Sequence, residues 1–463
     1  MIVMKFGGTS VGSAKAIRRV ADIIKSRLDQ QPAVVTSAMG GITDSLVSLA
    51  EEAGQGRRNE VDALLDGIID KHRKVIADLD IVADVTFIEE FEKGIQQLKE
   101  VVEKIFVNGS LTLQYYDALI SMGEYFMAHI LSAFLTKKNI PGQMVDSRRL
   151  LRTDSTYSAA RPHYQESKSN VLKYLLPVIQ QGKIPVIQGF TGKSKKGKTT
   201  TLGRGGSDYS ATLFGSMLGV DTVEIWSDVD GVLTADPSLV SDAHRIRHMS
   251  FHEAAELAYF GAKVLHPATL VPAIENDITV VVLNSMNPDF HGTAIANTSP
   301  VDLLHEGRVK SIAYKEELTV ITVSSSRMLM AHGFMALLFS IFEKYETAVD
   351  LVSTSEVTVS LTIDNIQRLD LIVPELEKFA TVNVEKYKAI VCLVGEGLKR
   401  TKGIPGRIFG LLQDTHIYSI SQGASEINLS FVIDQDDLPK VITRLHDYFF
   451  ANDLDPAIFS VSE

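Results

Sequence analysis

Through about residue 290, short apolar runs of strand length alternate with longer stretches in which apolar residues recur every three or four positions. The runs Ile2–Phe6, Ala33–Thr36, Pro185–Gln188, Val223–Ser227 and Thr279–Leu283 predict buried strands. Ser13–Leu28, Asn59–Leu79, Asp117–Thr136, Ser167–Gln181, Ser207–Leu218 and Ser250–Tyr259 predict helices. Strands alternating with helices build an α/β fold, an open and mainly parallel sheet with helices on both faces. Ligands in that class collect beyond the carboxyl ends of the strands, so the residues after each run are the candidates for chemistry.

The last third carries an internal repeat at an offset of seventy, in which Ser355–Asp364 aligns with Ser425–Asp434, Gly333 with Gly403, Phe339 with Phe409 and Val320–Val323 with Ile390–Leu393. Each copy reads strand, glycine turn, amphipathic helix, strand, strand. That is too small for a catalytic α/β domain and suits a ferredoxin-like βαββαβ module.

The chain of 463 residues is long enough for about three domains. Its 46 basic against 57 acidic residues give a net charge of −11, which argues against nucleic-acid binding by a basic surface. The single cysteine, Cys392, cannot form an internal disulfide and lies in the apolar run Ile390–Val394, so it reads as a buried structural thiol in a reducing, cytoplasmic compartment. The longest uncharged stretch, Met328–Phe342, falls short of a membrane span, and the start lacks the pattern of a signal peptide. No membrane partner is expected.

Candidate chemistry follows the strands. In Lys5-Phe-Gly-Gly-Thr-Ser10, Gly7 and Gly8 let backbone N–H groups close around phosphate oxygens and Lys5 supplies a mobile charge; a tight strand-to-helix turn with a solvated lysine competes equally. After the second strand, Ser37 and Thr43 can donate to an anion or merely cap a helix. Gly192–Thr199 satisfies the P-loop expression, but a β-branched run and then glycines follow where a P-loop must open a helix, so this stretch reads as a basic solvated hairpin. In Thr201–Ala211, glycines, Arg204 and the helix-opening Ser207-Asp208 converge, a nest with a guanidinium fork for carboxylate or phosphate; Asp208 could be merely a helix N-terminal acid, a reading that this convergence weakens. Glu224–Pro237 contains Ser227, Asp228 and Asp230, acids for ribose, metal or a turn. Phe260–Pro267 holds Lys263, solvated by default, and His266, read as structural. Glu124, in Ser121-Met-Gly-Glu124, lies within the apolar stretch Leu119–Leu135, where it either faces a ligand's ammonium group or sits on the helix surface.

In this order, Lys5–Ser10, Ser37–Asp44, Ser121–Glu124, Thr201–Ala211, Trp226–Pro237 and Phe260–Pro267 strongly resemble the aspartate kinases of the amino-acid kinase family, and the tandem tail looks like their paired ACT domains. The resemblance implies an amino-acid kinase domain over 1–298 and ACT domains over 315–386 and 387–463, with 299–314 available to complete the second. It implies phosphorylation of the β-carboxylate of L-aspartate by ATP with Mg2+, the first step towards lysine, threonine and methionine. Lys5 would contact the transferring phosphate and Asp208 organise the reacting groups. Ser37, Thr43, Glu124 and Arg204 would hold aspartate, and Gly7, Gly8, Ser10, Ser207, Ser227, Asp228, Lys263 and Val264 the nucleotide; no metal ligand is assigned. Nucleotide contacts are not carried to Leu233 and Ser238, where many relatives have tyrosine and arginine.

The first ACT copy looks most like the lysine-sensitive, single-function members, although Met330 and Ala331 replace polar residues expected there. The resemblance implies an effector pocket around Met328, Gly333, Phe334, Asp350, Thr354 and Ser355, with lysine ahead of threonine as effector and association into at least a homodimer through the tail. Asp350 is a partner for a cationic ligand or a carboxylate that caps a strand. Another amino-acid kinase would usually lack the paired tail. A sensor without chemistry is disfavoured by intact Lys5, Arg204 and Asp208, and a nicotinamide dehydrogenase by the absence of G-x-G-x-x-G after the first strand.

Overall fold

In the computed structural model, which describes residues 1–261, 265–297, 307–329, 332–423, 425–451 and 454–460, the chain divides into two compact units. The first comprises Met1–Val232 with Val264–Asn297 and the second Leu233–Lys263 with Thr298–Glu463.

The first unit runs β1 (Ile2–Phe6), α1 (Ala14–Lys25), β2 (Pro32–Thr36), α2 (Ile42–Gly54), α3 (Arg58–Asp78), α4 (Val85–Asn108), α5 (Leu113–Ile120), α6 (Met122–Lys137), β3 (Gly142–Val145), β4 (Arg152–Thr153), α7 (Tyr164–Asn170), α8 (Leu176–Gln180), β5 (Ile184–Gln188), β6 (Thr191–Ser194), β7 (Thr199–Thr201), α9 (Gly206–Leu218) and β8 (Thr222–Ser227). The stretch 233–263 adds β9 (Arg245–Ile246), β10 (His248–Ser250) and α10 (Phe251–Tyr259) to the second unit. The chain then returns to the first unit with α11 (Pro267–Asn276), β11 (Thr279–Asn284) and β12 (Thr293–Ala296).

Within the first unit the strands lie in the order β12-β11-β8-β1-β2-β5-β3. All neighbours are parallel except β12 against β11. β1, β2 and β5 are buried at every position, as strands covered by helices on both faces must be. The helices follow local chemistry. Ser13 caps α1 by accepting the Ala16 N–H at 3.2 Å. The continuous helix expected over Asp117–Thr136 breaks into α5 and α6 at Ser121, whose hydroxyl donates to the Ala118 carbonyl at 2.9 Å and competes with the helical ladder. The one expected over Ser167–Gln181 is interrupted by a wide turn at Val171–Leu175, because Pro177 offers no N–H to the turn before it. Leu113–Lys137 is long and apolar enough to cross a membrane, but its most apolar part is 89% buried inside the fold.

The second unit confirms the repeat and shows how its copies share strands. β13 (Ser311–Ser324), β14 (Val352–Thr354), β15 (Thr358–Ile363), β16 (Thr381–Val394), β17 (Ile417–Gln422) and β18 (Asn428–Asp434) form one antiparallel sheet, ordered β14-β15-β13-β16-β18-β17. β13 and β16 are each 14 residues long and serve both copies. The later half of β13 pairs with β15 of the first copy, and the earlier half of β16 closes that copy. The second copy takes its fourth strand from Ser311–Lys315, upstream of the first copy, because the chain end at β19 (Phe459–Ser460) pairs with β9 instead. Each long strand switches copies beside a left-handed residue, Glu317 (φ 58°) and Tyr387 (φ 58°), which again lie seventy positions apart. Gly333 (φ 88°) and Gly403 (φ 82°) open the equivalent helices Phe334–Lys344 and Ile404–Leu411 in the left-handed region that favours glycine. Cys392 is buried in β16.

His72 on α3 gives the first unit a sensitivity to acid. It is 1% exposed, its ring centroid lies 5.0 Å from that of Phe126, and burial pushes its pKa down to about 4. The unfolded chain takes up this proton near the ordinary value of about 6.5, so stability falls as pH drops from there towards 4, by about 3 kcal/mol in the limit. His72→Leu should flatten that part of the stability profile, as read by urea midpoints at pH 7 and pH 5. Equal losses in parent and variant would contradict it.

Candidate active site

The loops after β1, β2, β5 and β8 converge at the carboxyl edge of the sheet, and backbone bonds fix their spacing. Gly7 N–H donates to the Trp226 carbonyl at 3.0 Å, Ser37 N–H to Phe6 at 3.0 Å and Gly189 N–H to Thr36 at 3.0 Å. Gly40 N–H donates to the Gly8 carbonyl at 3.1 Å, and a Cβ on Gly8 would stand 3.0 Å from the Ala38 carbonyl, so the two glycine loops lie directly against each other.

Onto this platform the first turns of α6 and α9 bring the charges. The Lys5 ammonium lies 2.5 Å from the Asp208 carboxylate, their side chains 10% and 17% exposed. Ser207 Oγ donates to Glu124 Oε1 at 2.5 Å. Glu124 is 4% exposed, and its Oε2 has no hydrogen-bond partner among the described residues. Gly189 is obligatory beside it, since a Cβ there would stand 2.9 Å from Glu124 Oε2 and 2.8 Å from Ser207 Cβ. Burial pushes the Glu124 carboxyl up to about 8, while the Ser207 bond and the Lys5 charge pull it back and Asp208 raises it further. A buried carboxylate oxygen without a donor, next to a lysine already held by another acid, is a socket for a second cation.

Lys5, Glu124, Ser207 and Asp208 therefore come together, with Gly7, Gly8 and Ser37 on the adjoining loops. Thr43 is exposed in the first turn of α2 and Arg204 is exposed just before α9. The carbonyl of Ser227 accepts from Ser285 N–H at 2.8 Å, and Asp228 is exposed. Ser10 is 1% exposed, and its hydroxyl lies 3.3 Å from the Trp226 carbonyl and 2.7 Å from Ser285 Oγ. Lys263 and Val264 lie outside the described residues. Gly192–Thr199 is a hairpin, β6 pairing antiparallel with β7 and Lys198 exposed at its turn. His266 caps α11 by accepting the Ala268 N–H at 3.3 Å. The residue that sequence reasoning passed over is Asp117 on α5, fully buried and hydrogen-bonded to Ser158 and Thr201. Its only signal was a carboxylate in an apolar stretch seven residues before Glu124.

In the second unit the six expected effector residues do not form one cluster within a chain. Met328, Gly333 and Phe334 follow β13, at the end where Thr354 pairs with Val359 and Ser324 with Thr358. Asp350 lies four residues before Thr354, about 13 Å away along an extended strand. Its carboxylate is already paired with Lys315 at 2.7 Å, and Lys315 also reaches Asp364 at 2.8 Å. Ser355 Oγ closes the β14–β15 turn by accepting the Thr358 N–H at 3.1 Å. Met330 and Ala331 lie outside the described residues.

The sequence matches the amino acid kinase family over residues 1–284 and the ACT domain over 391–449. It is 37% identical to the lysine-sensitive aspartokinase 3 of Escherichia coli (strain K12), over 97% of this chain and 99% of that one. It is also 37% identical to the chloroplastic aspartokinase 1 of Arabidopsis thaliana, over 97% and 80%. The crystal structure of E. coli aspartokinase III in complex with aspartate and ADP superposes with a TM-score of 0.84 at 35% identity, covering 97% of this chain and 100% of that one. A parallel sheet that gathers a lysine, two acids and glycine loops at its carboxyl edge defines the class, and the chain belongs to the amino acid kinase family with an appended ACT region. Within that family it is an aspartate kinase.

The site's electrostatics set a pH dependence. If Glu124 receives the α-ammonium of aspartate as a carboxylate, binding must first remove its proton below about pH 8. Aspartate affinity should then weaken as pH falls from 8 to 6, approaching about tenfold per unit. Glu124→Gln should lower aspartate affinity, abolish most of that slope and leave ATP affinity nearly unchanged, as measured by KM across pH. Weakened ATP binding would move Glu124 to the nucleotide side.

Proposed function

We propose that the enzyme transfers the γ-phosphoryl group of ATP to the β-carboxylate of L-aspartate, forming 4-phospho-L-aspartate and ADP, at the entry to biosynthesis of lysine, threonine and methionine. The observation that carries this reading is the buried Glu124, one oxygen on Ser207 and the other without a partner, under the influence of the Lys5 and Asp208 charges. The relative's complex with aspartate and ADP supports the same pair of ligands here. A β-carboxylate oxygen attacks the γ-phosphorus while the bond to the bridging β–γ oxygen breaks, and ADP carries away the electron pair. The nucleophile is ionised at neutral pH, so positioning and charge stabilisation are the enzyme's main tasks.

Lys5 leaves Asp208 to follow the transferring oxygens, and Asp208 fixes the lysine until then. Gly7, Gly8 and Ser207 line the phosphates, Ser227 and Asp228 face the nucleoside, and Ser37, Thr43, Glu124 and Arg204 hold aspartate. Mg2+ would accompany the nucleotide and neutralise charge on its phosphates, held mainly by phosphate oxygens and water. The test is to trap the acyl phosphate with hydroxylamine after incubation with ATP and each candidate amino acid. Hydroxamate is expected with aspartate, and Lys5→Ala should lower turnover by about 10²–10³ with little change in the KM for aspartate. Near-normal turnover in that variant would sink the assignment of Lys5.

The regulatory reading is feedback inhibition by an end-product amino acid, lysine ahead of threonine, acting on the ACT copies of an enzyme that is at least a homodimer. A near-full-length relative named as lysine-sensitive supports it. The separation of Asp350 from Met328, Gly333 and Phe334 within one chain favours a pocket completed by a second copy. An effector's ammonium group would compete with Lys315 for Asp350. Millimolar lysine should inhibit the full-length enzyme, and Asp350→Ala should weaken inhibition without lowering basal activity. Removal of everything after Val309 should abolish both inhibition and dimer. An unchanged rate and sedimentation with lysine and with threonine would overturn this reading.

A further inference from the structure

Asp117 belongs to none of the motifs above, yet it is 0% exposed and surrounded by donors. Ser158 N–H lies 3.0 Å from both of its oxygens and Ser158 Oγ 3.0 Å from Oδ1. Thr201 N–H reaches Oδ2 at 2.8 Å and Thr201 Oγ1 reaches Oδ1 at 2.9 Å. Burial pushes its pKa up and these donors pull it back. The two residues it grips belong to two loops that are themselves laid together. Ala160 N–H donates to the Thr201 carbonyl at 2.9 Å, and Gly203 (φ 81°) is so close that a Cβ there would stand 2.8 Å from the Ser158 carbonyl. Ser158 is held at φ 65°, a left-handed conformation that is unfavourable for a non-glycine residue and persists only where its surroundings enforce it. The line of contact therefore runs from Asp117 through Ser158 to Gly203, the residue before Arg204, and through Thr201 into the turn that opens α9. Arg204 makes no ion pair among the described residues and depends on that turn for its place.

We propose that Asp117 is a positioning residue for aspartate, acting through the Thr201–Gly206 turn to aim Arg204 at a substrate carboxylate. The proposal rests on the assignment of Arg204 to the aspartate side. A residue that only held the fold together would affect melting and all kinetic constants alike, whereas this geometry concentrates its effect on one substrate.

The test is a double-mutant cycle of Asp117→Asn with Arg204→Ala in the full-length enzyme, reading KM for aspartate, KM for ATP and kcat. Asparagine keeps the volume but turns an amide N–H2 towards the donors. Asp117→Asn should raise the KM for aspartate about tenfold with the KM for ATP within about twofold, and add little in the Arg204→Ala background. Thr201→Val, which removes one hydroxyl and leaves the carboxylate, should raise the same KM about threefold and stands in if Asp117→Asn does not fold. An unchanged KM for aspartate in the variant that folds, or effects that multiply independently with Arg204→Ala, overturns the proposal. If Arg204→Ala alone leaves that KM unchanged, the Arg204 assignment falls, and the route through it falls whatever Asp117→Asn does. If Arg204→Ala raises it and Asp117→Asn does not, the positioning proposal falls alone.

Discussion

A parallel sheet ends all of its strands on one edge, and the backbone groups just beyond those ends must still find partners. Here they find them in one another. The bonds from Gly7 to Trp226, Ser37 to Phe6, Gly189 to Thr36 and Ser285 to Ser227 each extend the ladder past the regular strand. The loops are thereby held near the spacing of strands, about 4.8 Å apart, while their side chains are released from the alternation of the sheet. Gly8 and Gly189 have no room for a Cβ, because loops spaced so closely leave space only for backbone and for the few side chains that reach in from helices.

Those side chains are Glu124 and Asp208, together with Lys5 from β1. One ammonium among two acids leaves these residues by themselves short of positive charge in a setting where water supplies little compensation. Protonation of Glu124 relieves the imbalance without a ligand, since its carboxyl is pushed to about 8. The α-ammonium proposed to meet Glu124 would relieve it differently, by making the ionised form favourable. In the proposed reading the triphosphate reverses the demand on Lys5, which is tied to Asp208 at 2.5 Å and would be shared with phosphate oxygens. On that reading, binding of the two substrates redistributes the same few charges, each in place before chemistry begins.

Much of this was legible in the sequence wherever the signal was local. The apolar runs marked the strands, the glycines after β1 marked the close loops, and Gly192–Thr199 betrayed itself as a hairpin by the residues that follow it. The offset of seventy reached even to the left-handed residues Glu317 and Tyr387. What stayed hidden was set by distant partners. That the Ser10 hydroxyl lies beside Ser285, 275 positions away, could not be read from the glycine motif that precedes it. Asp117 looked like a helix residue because its donors lie 41 and 84 positions along the chain. The loan of Ser311–Lys315 to the second ACT copy could not be read from either copy alone, since pairing is a property of the completed sheet.

The same shared sheet bears on how regulation reaches α10. This helix is bound to the ACT sheet along its length: Glu253 pairs with Lys310 at 2.8 Å with both side chains buried, Asn428 donates to Glu256 at 2.6 Å, and Tyr259 donates to Asp350 at 3.3 Å. Breaking the buried pair would strand a charge, at a cost of about 3–5 kcal/mol, so the start of α10 moves only with β13. Its end is held more lightly, by a tyrosine on the carboxylate that also holds Lys315. A ligand that changed the partners of Asp350 would act first on that end. The chain then continues through Phe260 and Gly261 and crosses from the second unit to the first between Lys263 and Val264. The Asp350 carboxylate is thus joined to Tyr259, the last residue of α10, two positions before Gly261.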